Sequence, residues 1–176
     1  MTPTPSWLQE KLFERRIVFV TGALDDALAA QAAAQIMTLD ASNDAPIDVV
    51  LSSADGTLEA AFALIDVIDA AHAPIRIRCQ GQVGGPAIGV VAAADERSAS
   101  AHTTFRLSLP AVKLSGTPDQ IAAQSDEHRR LVWRFQARVA RASGRAAEDV
   151  ADDMRRARSF DTREALDYRL IDSIRS

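Results

Sequence analysis

Cysteine is scarce in this chain of 176 residues, where Cys79 is the only one. A single thiol excludes an intrachain disulfide, and the three histidines are too scattered to form a zinc-binding pattern with it, so we predict no metal site. A chain of this length buries roughly 70% of the surface that its unfolded form exposes, so it can fold without either kind of crosslink. Cys79 lies in an alternating apolar run and is predicted to be an inert core thiol.

Long hydrophobic runs are missing as well. The longest, residues 87–94, is far shorter than the roughly 20 residues that a membrane-spanning helix needs. The N-terminus lacks the basic and apolar regions of a signal peptide, so we expect a cytoplasmic protein with no membrane role. Basic residues do not cluster: 20 Lys and Arg against 24 Asp and Glu give a net charge of -4, and the arginines are dispersed. This distribution argues against nucleic-acid binding.

The glycine residues at 81–85 do not form a nucleotide-binding pattern. Gly81, Gly84 and Gly85 precede Pro86 at a spacing that fits neither the dinucleotide fingerprint nor the phosphate-binding loop, so we predict a glycine loop without a cofactor. A helix is predicted to begin at Pro86. The dipole of that helix leaves a weak anion site at its N-terminus open as an alternative.

Three strand-helix units in succession predict the fold class. Short β-rich runs at 17–20, 47–51 and 75–79 are each followed by a turn and then by a helical segment. Asp25 or Asp26 is placed to cap the first of these helices. Consecutive units of this kind require parallel strands with right-handed crossovers, and hence an α/β layered fold.

A long helix dominates the C-terminal half. It is predicted at about 119–142 and ends before Gly144, as a glycine cap ends a helix. At 1.5 Å per residue its length would be about 35 Å, which would overhang a domain of this size. We expect this arm to pack on a neighbouring subunit, because left unpaired it would expose Leu131, Phe135 and Val139.

Four motifs along the chain carry a resemblance to a known family. Residues 14–22 look like its first strand, and residues 47–56 stand where it has a strand ending in Asn-Ser-Pro-Gly-Gly. Gly81-Gln82 matches the start of its nucleophile loop, and residues 159–172 match its C-terminal signature. In order and spacing these motifs resemble the ClpP family of serine peptidases, which shares the crotonase-type ββα superfamily fold.

The resemblance also implies a domain organisation. Residues 12–176 are expected to form a single ClpP-like α/β domain with a protruding handle helix, the handle spanning about 109–143. Residues 1–11, which include two prolines, are left as a flexible N-terminal segment.

The catalytic triad that the resemblance implies is not kept in this sequence. The family's chemistry needs a serine nucleophile, a histidine base and an acid that orients the histidine. On the family motifs, Gly85 stands in the place of the serine, Ser108 in that of the histidine and Asp153 in that of the acid. Gly85 has no side chain to attack with, and Ser108 cannot act as a base near neutral pH. We expect Asp153 to meet Ser108 through a water or to turn toward a local arginine such as Arg155 or Arg156.

The oxyanion hole implied by the resemblance is incomplete too. Its two donors in the family are backbone N–H groups that fall on Gly56 and on Pro86. Gly56 can supply the first, whereas proline has no N–H, so the second donor is absent. Asp55 also places a negative charge beside the position where an oxyanion would develop.

The function implied by the resemblance is therefore a structural or regulatory one. Family members form heptameric rings that stack through the handle, with an AAA+ unfoldase docked outside. We expect a catalytically inactive ClpP-like subunit, a pseudoprotease, in a homo-oligomeric ring or in a mixed ring with an active ClpP paralogue. An unfoldase would be bound through that partner, because the aromatic positions of the family's docking pocket fall on Asp48 and Val50. Two alternatives stay open: a crotonase-superfamily enzyme acting on an acyl thioester, and a scaffold that holds extended peptides in the substrate groove.

Overall fold

The computed structural model describes residues 6–175 as an alternation of strands and helices. The helices are α1 (Ser6–Glu14), α2 (Asp26–Asp40), α3 (Leu58–Ala70), α4 (Ala87–Val91), α5 (Pro118–Ser143), α6 (Ala147–Arg155) and α7 (Thr162–Asp167). The strands are β1 (Ile17–Thr21), β2 (Ile47–Ser52), β3 (Ile75–Cys79), β4 (Gln82–Gly84), β5 (Glu96–Ser100), β6 (Thr104–Leu107), β7 (Arg158–Phe160) and β8 (Ser173–Arg175). The predicted α/β class is confirmed.

The larger sheet is parallel throughout and has the strand order β1-β2-β3-β5-β8. Its inward-facing side chains are apolar: Val49 on β2 pairs with Ile77 on β3, and both are fully buried. Helix α2 begins at Asp25, whose carboxylate accepts a hydrogen bond from the Leu28 N–H, so the cap is the first of the two predicted aspartates. Thr57 caps α3 in the same way.

The smaller sheet has the order β4-β6-β7 and contains a strand that the sequence did not indicate. The predicted glycine loop at 81–85 is wrong over Gln82–Gly84, which form β4. Val83 is fully buried and pairs with Phe105 of β6, so this short strand depends on a partner more than 20 residues away. A strand of three residues that pairs with so distant a partner has no recognisable pattern in its own sequence.

Helix α5 has the predicted boundaries. Thr117 caps its start, and Gly144 ends it with a left-handed φ of 67°. The expectation that its apolar stripe is left for a neighbouring subunit is wrong for Phe135 and Val139, which are fully buried within this chain. The exposed apolar side chains of α5 are instead Ile121 and Trp133, at 37% and 68% exposure.

The burial of Phe135 depends on a glycine in helix α4. A Cβ on Gly89 would lie 2.6 Å from Cε2 of Phe135, so the ring occupies the space that any other residue would fill. This close approach fixes the C-terminal half of α5 on the core. The N-terminal half of α5 extends beyond the core.

The N-terminal segment is helical where the sequence predicts a loose chain. Helix α1 begins at Ser6, so the prediction of a flexible segment over residues 1–11 differs from the structure from residue 6 onward. Phe13, which follows that segment near the end of α1, packs against the core and gives the helix a contact that the two prolines of the segment do not reveal. Residues 1–5 lie outside the described residues.

Candidate functional site

Three segments singled out in the sequence meet beside the smaller sheet. The Gly84 N–H donates to the Ser53 carbonyl oxygen at 2.8 Å, and Gly84 pairs in register with Arg106 on β6. A Cβ on Gly84 would lie 3.0 Å from the Ala54 carbonyl oxygen, so glycine allows this close approach. The turn after β2, the start of α4 and the end of β6 are thereby brought together.

Gly85 occupies the turn between β4 and α4. Its φ is +52°, a left-handed conformation that glycine adopts without strain, and its N–H donates to the Arg106 carbonyl oxygen at 3.2 Å. A Cβ here would meet only the Ala54 carbonyl oxygen, at 3.9 Å, so there is room for a side chain that this chain does not carry. The next residue is the N-cap Pro86, which has no N–H to offer at the start of α4.

The Gly56 N–H, the donor that the sequence leaves in place, is already bonded within the chain. Oδ1 of Asp55 accepts a hydrogen bond from it at 2.8 Å. A carboxylate oxygen of the protein thus takes a hydrogen bond that an oxyanion would need. The sequence indicates the charge of Asp55 but not this bond, because the bond depends on how the turn is folded. Gly56 itself is required, since a Cβ would lie 2.4 Å from the Leu24 carbonyl oxygen.

Ser108 follows strand β6 and is half-buried. It lines a pocket of about 440 Å³ together with Asp55 and Arg106 from one side and Met154 and Arg155 from the other. Within residues 6–175 its hydroxyl makes no hydrogen bond to another group. The structure thus brings Ser108 and Asp55, the residue before Gly56, into one pocket.

Asp153 does not line that pocket. Both of its carboxylate oxygens accept from Nη1 of Arg158 at 3.2 Å, and Oδ2 also accepts from the Tyr168 hydroxyl at 2.9 Å. The expected contact with a local arginine is present, but the arginine is Arg158 and neither Arg155 nor Arg156, and Arg155 pairs with Asp152 instead. Arg158 reaches Asp153 because β7 runs antiparallel to β6 immediately after α6.

Tyr168 is the residue at this site that the sequence analysis did not identify. Its burial and its hydrogen bond to Asp153 raise the pKa of the phenol above its ordinary value, so it stays protonated and remains a donor. The guanidinium carbon of Arg145 lies 3.8 Å from the ring centroid, and Phe160 packs edge-on at 4.8 Å. The tyrosine belongs to the C-terminal signature, so the sequence indicated that Tyr168 matters but not that Asp153 is its partner.

Among the residues that the structure describes, no histidine lines the pocket beside Ser108. His72 lies beside Asp40 at the far end of α3, and His102 is exposed in the turn after β5. Cys79 is fully buried, as predicted, and burial raises its pKa to about 12, so it is not a nucleophile at neutral pH.

Two general features of residues 6–175 bear on other kinds of site. None of their helices combines the length and the apolar character that crossing a membrane demands. No group of three or more His, Cys, Asp or Glu side chains in this part of the chain is arranged to hold a metal ion.

Comparison with known proteins gives consistent matches over nearly the whole length. The family model described as Clp protease matches residues 5–176. The chain is 30% identical over 167 residues to the ATP-dependent Clp protease proteolytic subunit 4 of Rhodococcus jostii (strain RHA1), with 93% of this chain and 86% of that protein covered. It is also 30% identical over 162 residues to the ATP-dependent Clp protease proteolytic subunit of Paracoccus denitrificans, with 91% and 81% covered.

A third relative agrees with these two. The chain is 27% identical over 168 residues to the ATP-dependent Clp protease proteolytic subunit 1 of Thermobifida fusca (strain YX), with 93% of this chain and 76% of that protein covered. The parallel sheet and the helices observed here are those expected of that fold. With a family match that leaves only the first four residues uncovered, the chain belongs to the Clp protease family and has the ClpP fold.

Proposed function

We propose that this chain is a catalytically inactive subunit of a Clp-type proteolytic assembly, with a structural or regulatory role. The observation that carries the proposal is the pair Gly85-Pro86 at the start of α4. One residue removes the nucleophile and the next removes a backbone donor. Two losses in adjacent positions act on different parts of the same reaction, so neither compensates for the other.

The donor side of the argument can be given a magnitude. Removing one oxyanion donor costs about 3 kcal/mol of transition-state stabilisation. Here Pro86 has no N–H, and the Gly56 N–H is bonded to Asp55. A crotonase-type reaction on an acyl thioester needs the same two donors, so the same geometry disfavours that alternative.

The retained scaffold supports a role in assembly. Helix α5 keeps its length and its caps, and its outer half presents Ile121 and Trp133 to solvent. The relatives are named as proteolytic subunits of an ATP-dependent protease. We propose that this chain joins a ring, either of its own copies or mixed with an active paralogue that supplies the cleavage.

Binding of an unfoldase is proposed to occur through the partner subunits. The position Asp48, on the sheet face where the family's docking residues lie, pairs with Arg78 across β2 and β3 at 2.6 Å. Arg76 and Glu96 form a second cross-strand pair at 3.2 Å. A surface covered by charge pairs is a poor receptor for an apolar loop, because docking would take these charges out of water.

Assembly and activity are tested separately. A tagged copy is purified from the native cell and analysed by native mass spectrometry, and we expect to find it in ring-sized complexes. If the chain is a monomer both alone and when mixed with the paralogue, ring membership is contradicted. The purified chain should hydrolyse neither a fluorogenic peptide nor casein. Gly85→Ser should remain inactive, because the base and one donor are still missing and triad members act as a unit. The matched control is an active paralogue, whose own Ser→Ala variant sets the background.

A further inference from the structure

The pocket beside Ser108 has a lining that peptide hydrolysis does not explain. Two arginines, Arg106 and Arg155, contribute to it, while Asp55 is its one carboxylate. Its volume, about 440 Å³, lies within the range of small-molecule and peptide subsites. Arg155 is paired with Asp152, which lies outside the lining, so the charge available to a ligand is that of Arg106. A guanidinium without an ion pair in a concave site points to an anionic ligand.

Arg106 is the cation best placed to meet such a ligand. It lies opposite Gly84 on β6, and its carbonyl oxygen accepts from Gly85, so its backbone is fixed from two directions. Its side chain is exposed, and within residues 6–175 it forms neither an ion pair nor a hydrogen bond. A guanidinium offers five donors in a planar fork that matches a carboxylate in a bidentate arrangement.

The other polar groups of the lining are also able to donate. Arg155 bonds Asp152 through Nη2, which leaves further N–H groups on its guanidinium. The Ser108 hydroxyl has no partner among the described residues. Asp55 is the opposing charge, but Oδ1 of its carboxylate is bonded to the Gly56 N–H, which holds that oxygen in the turn.

We propose that this pocket binds the free C-terminal carboxylate of a peptide, with Arg106 as the main contact and Arg155 and Ser108 as additional donors. The inference rests on the proposed function, because a chain that cleaves no peptide itself meets these carboxylates only as products of other subunits. Hydrolysis of a peptide bond generates a new C-terminal carboxylate. The ligand class is therefore that of the cleavage products that active subunits release.

The test uses the full chain and a short N-acetylated apolar peptide in three forms. One form has a free C-terminus, one has a C-terminal amide, and one has the amide together with a glutamate side chain in the last position. Binding is measured by calorimetric titration at low salt. The free acid should bind about tenfold or more tightly than the amide, because a charge-assisted hydrogen bond is lost with the charge.

Variants locate the contact on Arg106. Arg106→Gln should weaken binding of the free acid about tenfold or more, and Arg106→Lys should recover only part of it because the bidentate fork is lost. Arg163→Gln is the matched control, since Arg163 is exposed on α7 and does not line the pocket. It should bind like the unsubstituted chain. Circular dichroism checks that each variant is folded. If Arg106→Gln is not folded, Arg155→Gln is measured in its place.

The outcomes separate this inference from the proposed function. Equal binding of acid and amide, no binding of the acid at about 1 mM, or an unchanged affinity in folded Arg106→Gln overturns the inference. Equal binding of the glutamate amide and the free acid overturns the assignment to a C-terminus. The peptide is recovered after each titration, and its mass is measured by mass spectrometry. An intact peptide agrees with the proposed function whatever the affinity, whereas a cleaved peptide contradicts the proposed function.

Discussion

The Tyr168 hydroxyl donates a hydrogen bond of 2.9 Å to Oδ2 of Asp153. The family resemblance leads us to expect Asp153 in the place of the acid that orients a histidine. Here its carboxylate is held between Tyr168 and Arg158, and only 15% of its side chain is exposed. Asp153, Tyr168 and Arg158 thus form a local structural cluster.

This cluster predicts the effect of removing the charge at Asp153. Asp153→Asn should lower the free energy of unfolding by about 1–2 kcal/mol, because hydrogen bonds to a charged and largely buried group are lost or weakened. For a chain of this size that is a decrease in Tm of about 2–8 °C. Asp152→Asn is the matched control, since its ion pair with Arg155 is exposed and should contribute less than about 0.5 kcal/mol. Equal losses in the two variants, measured by urea unfolding, contradict the assignment.

The contact between Gly89 and Phe135 predicts a packing effect. Gly89→Ala should destabilise the fold by about 1–3 kcal/mol, although alanine is the better helix former, because its Cβ would overlap the ring. In a Phe135→Leu background the same substitution should cost less than about 1 kcal/mol. Chemical denaturation of the four chains of this double-mutant cycle measures the coupling. Identical costs in both backgrounds rule out the proposed clash.

The ion pair of Asp172 predicts a loss of stability in acid. Burial raises the pKa of this carboxyl, but the side chain and the backbone N–H of Arg97 more than offset that effect and hold the pKa below its ordinary value. A lowered pKa in the folded state stabilises the protein above the unfolded pKa, and this contribution is lost as the pH falls through the folded value.

The free energy of unfolding should therefore fall as the pH is lowered from about 5 to below about 3. Asp172→Asn should reduce this fall, because the variant has no carboxyl left to protonate. Asp167→Asn, on the nearby helix α7, is the control. A pH dependence that is the same in Asp172→Asn as in the unsubstituted chain counts against the role of Asp172.

Burial of Cys79 predicts that it is protected from thiol reagents. With a pKa of about 12 and no exposed surface, it should not react measurably with a disulfide reagent in the native state at about pH 8. After unfolding in guanidinium chloride, one thiol per chain should react. Rapid reaction of the native chain would place Cys79 outside the core.

The sequence predicted those parts of the fold that depend on neighbouring residues. The alternation in β3 and the left-handed cap at Gly144 can be read from neighbouring residues, and both lie where expected. The three-residue strands β4, β7 and β8 could not be predicted, because each exists through pairing with a distant strand.

The features of the candidate site also divide into those that residue identity shows and those that depend on the folded structure. The identities of Gly85 and Pro86 already exclude a nucleophile and a donor at those positions. The bond from Gly56 to Asp55 and the partner of Asp153 could not be predicted, since they depend on turn conformation and on β7 following α6. Phe135 was misplaced because the sequence does not show that Gly89 makes room for it.

The central claim is that no residue of this chain acts as a serine-type nucleophile, and covalent labelling tests it most directly. The purified protein is incubated with a fluorophosphonate, and its intact mass is then measured, so that traces of contaminating peptidase do not affect the result. We expect the mass to remain that of the unlabelled chain, while an active paralogue treated in parallel gains one adduct per subunit. A stoichiometric adduct on any serine of this chain would contradict the account.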